Sequence, residues 1–484
     1  MPTSEPAGPP MVRFGRRQSR GLLLGLSAIR ATSAALALLT MMAGLLAGGG
    51  IGLVASSLLW VPLTAVTFIR WRGRPAVEWA PVIAHWSTRT LIGQNLYRAR
   101  VSKPRPAGTM ALPGDAAPLR FYTGPQSGVC MIHDPHRQTL SAVLRVTHPS
   151  YVLLSPDAQC SRVGAWGRVL AGLAQSGTCA ALQVLECTIP DTGQGVRAWW
   201  EGHRGADNPW ASAQYEALLA QSAHGASTHR TTITLSLDMR AAAKAVRDAG
   251  RGIAGAAKVL RGDSATLEYS LRAAELHLEH WLTEKEIAVM VRQAYDPGVA
   301  TAFDAHSAGA NLSHSGPTAV DERWDHLRHD SGFSAVLWIS EWPRIDVPPH
   351  FLHAIVFSPG VRKSLSIVAR PLDTAAALRQ IRKEKTEMIT DSHQKAKIGQ
   401  VADLSDTREY DDVVARERAL VSGHADMAFS GFLAVTAGSK DELTAAVSQL
   451  ERSATQAACE TRLLYGRQAQ AFVVAALPFG RSVL

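Results

Sequence analysis

The 484 residues are 46% hydrophobic, with 50 Lys and Arg against 41 Asp and Glu, a formal charge of +9. That is chain enough for more than one domain, while five cysteines with no C-x-x-C pair exclude a disulfide scaffold and a zinc ribbon. The charge is uneven: residues 1–105 hold thirteen Lys/Arg against Glu5 and Glu78, a net +11 that leaves −2 for residues 106–484, so the basicity is a collar suited to anionic lipid headgroups and gives nucleic-acid binding by the remainder no support.

Residues 1–20 read as a basic cytoplasmic tail containing Arg13, Arg16 and Arg17. Residues 21–74 read as a two-span membrane hairpin. The runs "ATSAALALLTMMAGLLA" and "IGLVASSLLWVPLTAVTF" carry no charge and flank Gly48, Gly49 and Gly50. Each suffices for a short span, whereas one helix over both would be far too long for a bilayer. The three glycines weaken a continuous helix and favour a turn. An export signal has a shorter apolar core, ~7–15 residues. Arginines precede the first run, and Arg70, Arg72 and Arg74 follow the second, which predicts both ends in the cytoplasm. Trp60 and Trp71 are candidate interfacial anchors, Trp60 the deeper of the two.

Residues 75–117 are expected to form an amphipathic helix (75–100, with Trp79, Trp86 and Leu91) and a Pro/Gly/Ala linker, "KPRPAGTMALPGDAAP". A first α/β domain is assigned to 118–299. Its strands "GVCMIHD" and "TLSAVLRV" flank the turn-rich "PHRQ", and "AALQVLECTIP" and "HRTTITLSLDM" are further strands. "ATLEYSLRAAELHLEHWLT" and "EKEIAVMVRQAYDP" are expected as helices. Residues 300–330 read as a polar loop. A second α/β domain spans 331–484, with a charged helical arm at 373–423 that presents Leu378, Ile381 and Ile389 at helical spacing to another subunit. The fold class expected is α+β: a transmembrane helical hairpin, then cytoplasmic split-βαβ domains with a helical insertion and helices on one sheet face.

Motifs that carry chemistry fail on inspection. "GRGIAG" matches G-x-G-x-x-G, but helical sequence precedes it where the dinucleotide fingerprint needs a strand. "TAGSKDEL" lacks the P-loop spacing, so Ser439 reads as a helix N-cap. "AVLWISEW" has Ser340 where a Walker B strand carries its acidic metal ligand. His277 and His280 in "HLEH", Asp325, His326, His329 and Asp330 in "WDHLRHD", and His133, Asp134 and His136 in "HDPH" match no metalloenzyme spacing. The expectation is a protein that is not an enzyme, with no cofactor and no metal.

The order of elements resembles known families. The hairpin with its basic, Trp-containing sequel resembles the PrgI-like membrane subunits of type IV secretion systems. "GVCMIHDPHRQTLSAVLRV", "EIAVMVRQAYDP", "SLSIVARPLDTAAALRQI" and the stretch from "RERALVSGHADMAF" to "AFVVAALPFGRS" resemble the non-motor half of the VirB/TraC-type conjugation ATPases. Those ATPases continue into a P-loop motor after the "LP" matched by Leu477-Pro478, whereas this sequence reaches Leu484, so no catalytic residue carries over. The resemblance implies a membrane-anchored scaffold of a secretion or conjugative DNA-transfer machine. The partners it implies are other subunits, a separate P-loop ATPase and anionic lipids, with self-association left open. A hairpin joined to a cytoplasmic α/β domain also resembles the EccE component of type VII secretion, and a DNA-handling membrane protein is the further alternative.

Overall fold

The computed structural model describes residues 10–12, 14, 27–100, 106–124, 127–147, 151–190, 194–204, 209–222, 227–299, 311–397, 404–422 and 426–482. The chain forms two compact units, Arg16–Asn95 and Met1–Gly15 with Leu96–Leu484.

The smaller unit is built on the apolar run Ala28–Phe68, which leaves helical geometry at Gly48 and Gly49. Gly49 takes φ +57, a conformation that costs a residue without Cβ little. The two helical arms fold back on each other, bringing the Ser33 and Thr67 hydroxyls to 2.8 Å across 34 residues of chain. Small residues permit the close approach: a Cβ on Gly52 would lie 2.1 Å from the Gly44 carbonyl oxygen. Residues 28–47 and 50–68 each reach roughly 28–30 Å, the thickness of a hydrocarbon core. A tight hairpin follows, β1 (Arg70–Trp71) and β2 (Arg74–Pro75), turned by Arg72 and Gly73 at positive φ. The helix expected over 75–100 is shorter, Ala80–Leu91 after a 3-10 turn at Ala76–Trp79, because Gly93 at φ +74 ends it.

Among the described residues, the larger unit holds one 13-stranded sheet. Its strands are β3 (Leu96–Arg98), β4 (Arg120–Thr123), β5 (Cys130–Asp134), β6 (Thr139–Thr147), β7 (Cys179–Pro190), β8 (Ser227–Asp238), β9 (His277–Trp281), β10 (Ala319–Glu322), β11 (Leu327–His329), β12 (Gly332–Glu341), β13 (Arg362–Pro371), β14 (Met427–Ala437) and β15 (Glu460–Leu463). The order is β3-β10-β11-β12-β14-β13-β7-β8-β6-β5-β4, with β15 on β12 and β9 on β6. Apart from β3 at one edge, this order is a palindrome about the β13–β7 seam. Residues 139–281 run β6-helix-β7-β8-helix-β9 and pair as β9-β6-β8-β7, a split-βαβ unit; residues 332–463 repeat it as β15-β12-β14-β13. The halves join where β7 and β13 pair antiparallel, from Leu182 opposite Ala369 to Thr188 opposite Lys363. Each half carries a two-helix arm between its second and third strands: Gln194–His203 with Pro209–Ser222, and Thr374–Lys397 with Leu404–Val421. Since β7 and β13 are antiparallel, the arms leave from opposite ends of the sheet.

Helices cover both faces, not the one expected, because adjacent strand residues are apolar on both sides. Val143, Leu185 and Phe432 pack with Ile287 and Tyr295 of helix Glu284–Tyr295 and Phe472 of helix Gln468–Ala476. Leu144 and Leu182 pack oppositely with Val169 and Leu260, and Leu337 and Leu433 with Leu443 and Leu450. Each such buried side chain contributes ~1.5–3 kcal/mol.

Three further expectations are corrected. The blocks at 118–299 and 331–484 are halves of one continuous sheet. The linker within 75–117 is partly core, since Met110, Leu112 and Ala116 are buried. The loop at 300–330 contains β10 and β11, whose Val320 and Leu327 point into the core; residues 300–310 lie outside the described residues.

Candidate functional site

The residues singled out in sequence separate into three groups. At the hairpin, Gly48 and Gly49 form the turn, and Trp60 is half-buried with its indole N–H 3.4 Å from the Leu53 carbonyl. Arg70, Trp71 and Arg72 are exposed and Arg74 half-buried, all four just past Phe68, with the Arg72 guanidinium 5.3 Å from the Trp71 ring centre. Arg13, Arg16 and Arg17 lie outside the described residues.

The second group is the charged arm. Its helices are present, but Ile381 is fully buried with Ala377 and Leu420, and Leu378 packs beside them with Val413. Lys385 Nζ donates to Glu417 at 2.7 Å across the same helix pair. Ile381 therefore holds the arm together, whereas Ile389 is 47% exposed. The equivalent arm at 194–222, which sequence reasoning passed over, is the more apolar surface: Trp199 is 56% and Trp210 73% exposed, beside exposed Val196 and Leu218. Paired tryptophans in short polar helices were the available signal.

The third group is the polar motifs, and each has a structural role. Helices Ala243–Asp248 and Gly252–Ala273 flank the "GRGIAG" joint, and Gly255 is required because a Cβ there would meet the Val246 carbonyl oxygen at 2.3 Å. Ser439 caps helix Lys440–Gln456, accepting from Glu442 N at 3.2 Å. Ser340 donates to the Glu460 carbonyl at 3.2 Å. His277 and His280 lie on β9 instead of the expected helix, because Glu275 at φ +59 turns the chain after Ala273. His280 bonds Glu286 at 2.6 Å, and Glu286 closes a capping box with Thr283. Asp134 stays at the β5–β6 turn, accepting from His136 N at 3.0 Å and Arg137 N at 3.2 Å. Among the described residues no group of three or more His, Cys, Asp or Glu is placed to hold a metal ion.

Buried ionisable groups are similarly committed. Burial pushes the thiols of Cys130, Cys179, Cys187 and Cys459 up to about 12, so they are poor nucleophiles at neutral pH. His329 is held down to about 4, chiefly by burial. Its Nδ1–H donates to the Tyr295 carbonyl at 2.5 Å, and Nε2 accepts from Ser334 Oγ at 2.7 Å, which together specify the neutral ring. An unfolded histidine titrates near 6.5. The folded chain therefore keeps the full contribution above pH 6.5 and loses on the order of 3 kcal/mol as pH falls toward 4, the unfolded chain taking up a proton that the folded one refuses. Replacing His329→Asn should flatten the pH dependence of unfolding between 6.5 and 4. An unchanged slope in urea titrations would rule His329 out as its source.

At the seam of the two halves, Gln183 is fully buried. Its Nε2 donates to Ser366 Oγ, the Val474 carbonyl and the Leu477 carbonyl at 2.9, 3.1 and 3.0 Å, while Oε1 accepts from Gly480 N at 2.7 Å. This fastens the C-terminal segment across β7 and β13.

Residues 226–339, from β8 through β12, are similar to the family model of EccE, the type VII ESX secretion system translocon family. The match covers the stretch of sequence that links the two halves, and under a quarter of the chain. It falls on the second of the two resemblances read from sequence, not on the PrgI and VirB/TraC pattern. None of the curated proteins compared matches the chain.

Proposed function

We propose that the protein is a membrane-anchored, non-catalytic subunit of a type VII-like secretion translocon. The observation that carries this reading is the EccE similarity across β8–β12, in a chain whose other unit is an apolar hairpin long enough to enter a bilayer. The hairpin crosses the membrane twice, its glycine turn outside and both ends cytoplasmic, because arginines flank both runs and the turn has none. The 96–484 unit then displays two rigid arms to neighbouring subunits, a motor ATPase among them. The arm carrying Trp199 and Trp210 supplies the apolar contact, as exposed tryptophans are the usual anchors of protein interfaces.

Tagged chain expressed at its natural level and extracted from membranes should co-purify other membrane subunits of the secretion machine. The double variant Trp199→Asp, Trp210→Asp should lose at least tenfold of that recovery while remaining folded and membrane-bound. Recovery of the wild-type chain alone would overturn the assembly role, and an undiminished yield from the variant would remove the arm from it.

A further inference from the structure

We propose that helix Ala80–Leu91 lies in the plane of the membrane surface, seated at the headgroup–acyl boundary of anionic phospholipid. The inference rests on the hairpin being a membrane anchor.

Four observations converge. The helix buries none of its residues within the protein. Ala80, Ile83, Ala84, Ser87 and Leu91 are all exposed, and their i, i+3, i+4, i+7, i+11 spacing puts them on one side of the helix. That side carries no charge, and its end is strongly apolar: Leu91 is 87% and Ile92 72% exposed. The other side, with Val82, Trp86 and Arg89, is the partly buried one.

The helix also starts at the open end of the hairpin. Ser27, which precedes the first helical arm, donates its hydroxyl to Glu78 Oε1 at 2.8 Å. Ala76 N donates to the Ile69 carbonyl at 2.8 Å, just past the second arm. Trp79 Nε1 donates to the Trp71 carbonyl at 3.2 Å, and the two rings meet edge-on at 4.9 Å. These bonds hold the first turn at the level where both arms end, which is the interfacial layer of any bilayer the arms cross.

The charges there suit anionic lipid: Arg70, Arg72, Arg74 and Arg89 stand against the single acid Glu78 over residues 69–95. A twelve-residue helix is marginal alone in water, and insertion of its uncharged face into the boundary removes that face from water, as for other interfacial helices.

The test uses the full chain with Cys160→Ser in vesicles of phosphatidylcholine with phosphatidylglycerol. The buried thiols, pushed to about 12, leave single engineered cysteines at Leu38, Ile83, His85 or Leu91 as the spin-label sites. Collision with oxygen should exceed collision with a water-soluble nickel chelate several-fold at Ile83 and Leu91 and reverse at His85. Leu38 should read deepest. The contrast at Ile83 and Leu91 should shrink in phosphatidylcholine alone. If Ile83 and Leu91 read like His85, or are shielded from both reagents as under a protein cover, while Leu38 stays deep, the in-plane helix is wrong and the anchor survives. If Leu38 is itself open to the chelate, both are overturned.

Discussion

Arg481→Met should lower the unfolding free energy of the chain by about 3–5 kcal/mol, the cost of leaving one member of a buried ion pair without its partner. Arg481 and Asp134 are 4% and 3% exposed, with Nε 3.0 Å from Oδ2. A second guanidinium nitrogen reaches Asp115 Oδ2 at 3.2 Å and its carbonyl at 3.3 Å. Removing the guanidinium takes the nearest cation from the buried Asp134 carboxylate and loosens the C-terminal segment, which Arg137 of the β5–β6 turn still holds through the Ser482 carbonyl. Urea unfolding of the detergent-solubilised protein measures the loss. The cycle with Asp134→Asn should show strong coupling, the double variant costing less than the two single losses together. A loss under about 1 kcal/mol for Arg481→Met would mean that water reaches and solvates the carboxylate.

Leu38→Arg combined with Leu58→Arg should remove the chain from carbonate-washed membranes. Both leucines are exposed near the middle of their helical arms, 57% and 83%. An arginine at the centre of a span costs ~2.5–3.5 kcal/mol on insertion scales. Two together correspond to a shift of more than a thousandfold. A cysteine at Gly50, where a side chain meets open space, should react with an impermeant thiol reagent on intact cells, whereas one at Lys383 should not. Retention of the double-arginine chain in membranes would refute the spanning hairpin, and labelling at Lys383 would refute the orientation.

What the amino-acid sequence determined by itself are the features whose causes are local. The hairpin turn falls at Gly48–Gly49 because apolar runs end there and glycine tolerates the backbone. Ser439 and Thr283 cap helices because their hydroxyls reach N–H groups three residues on. Helices flank the Gly250–Gly255 joint as the periodicity around it predicts, and split-βαβ order follows from the succession of strands and helices. What only the tertiary structure decided is which strand edges meet. The pairing of β7 with β13 joins residues about 180 apart, and hydrophobic alternation marks a strand's faces without naming its neighbour. One sheet in place of two domains follows from that pairing, as does the second arm's equivalence to the first. The same limit explains the individual misreadings. Ile381 has the spacing of an anchor, but Leu420 and Val413, more than thirty residues on, cover it. His277 and His280 continue a helical pattern until Glu275 turns the chain and β6 takes the segment as a strand. Met110 and Leu112 sit in linker-like sequence, yet burying them in the core outweighs the local preference for a loop.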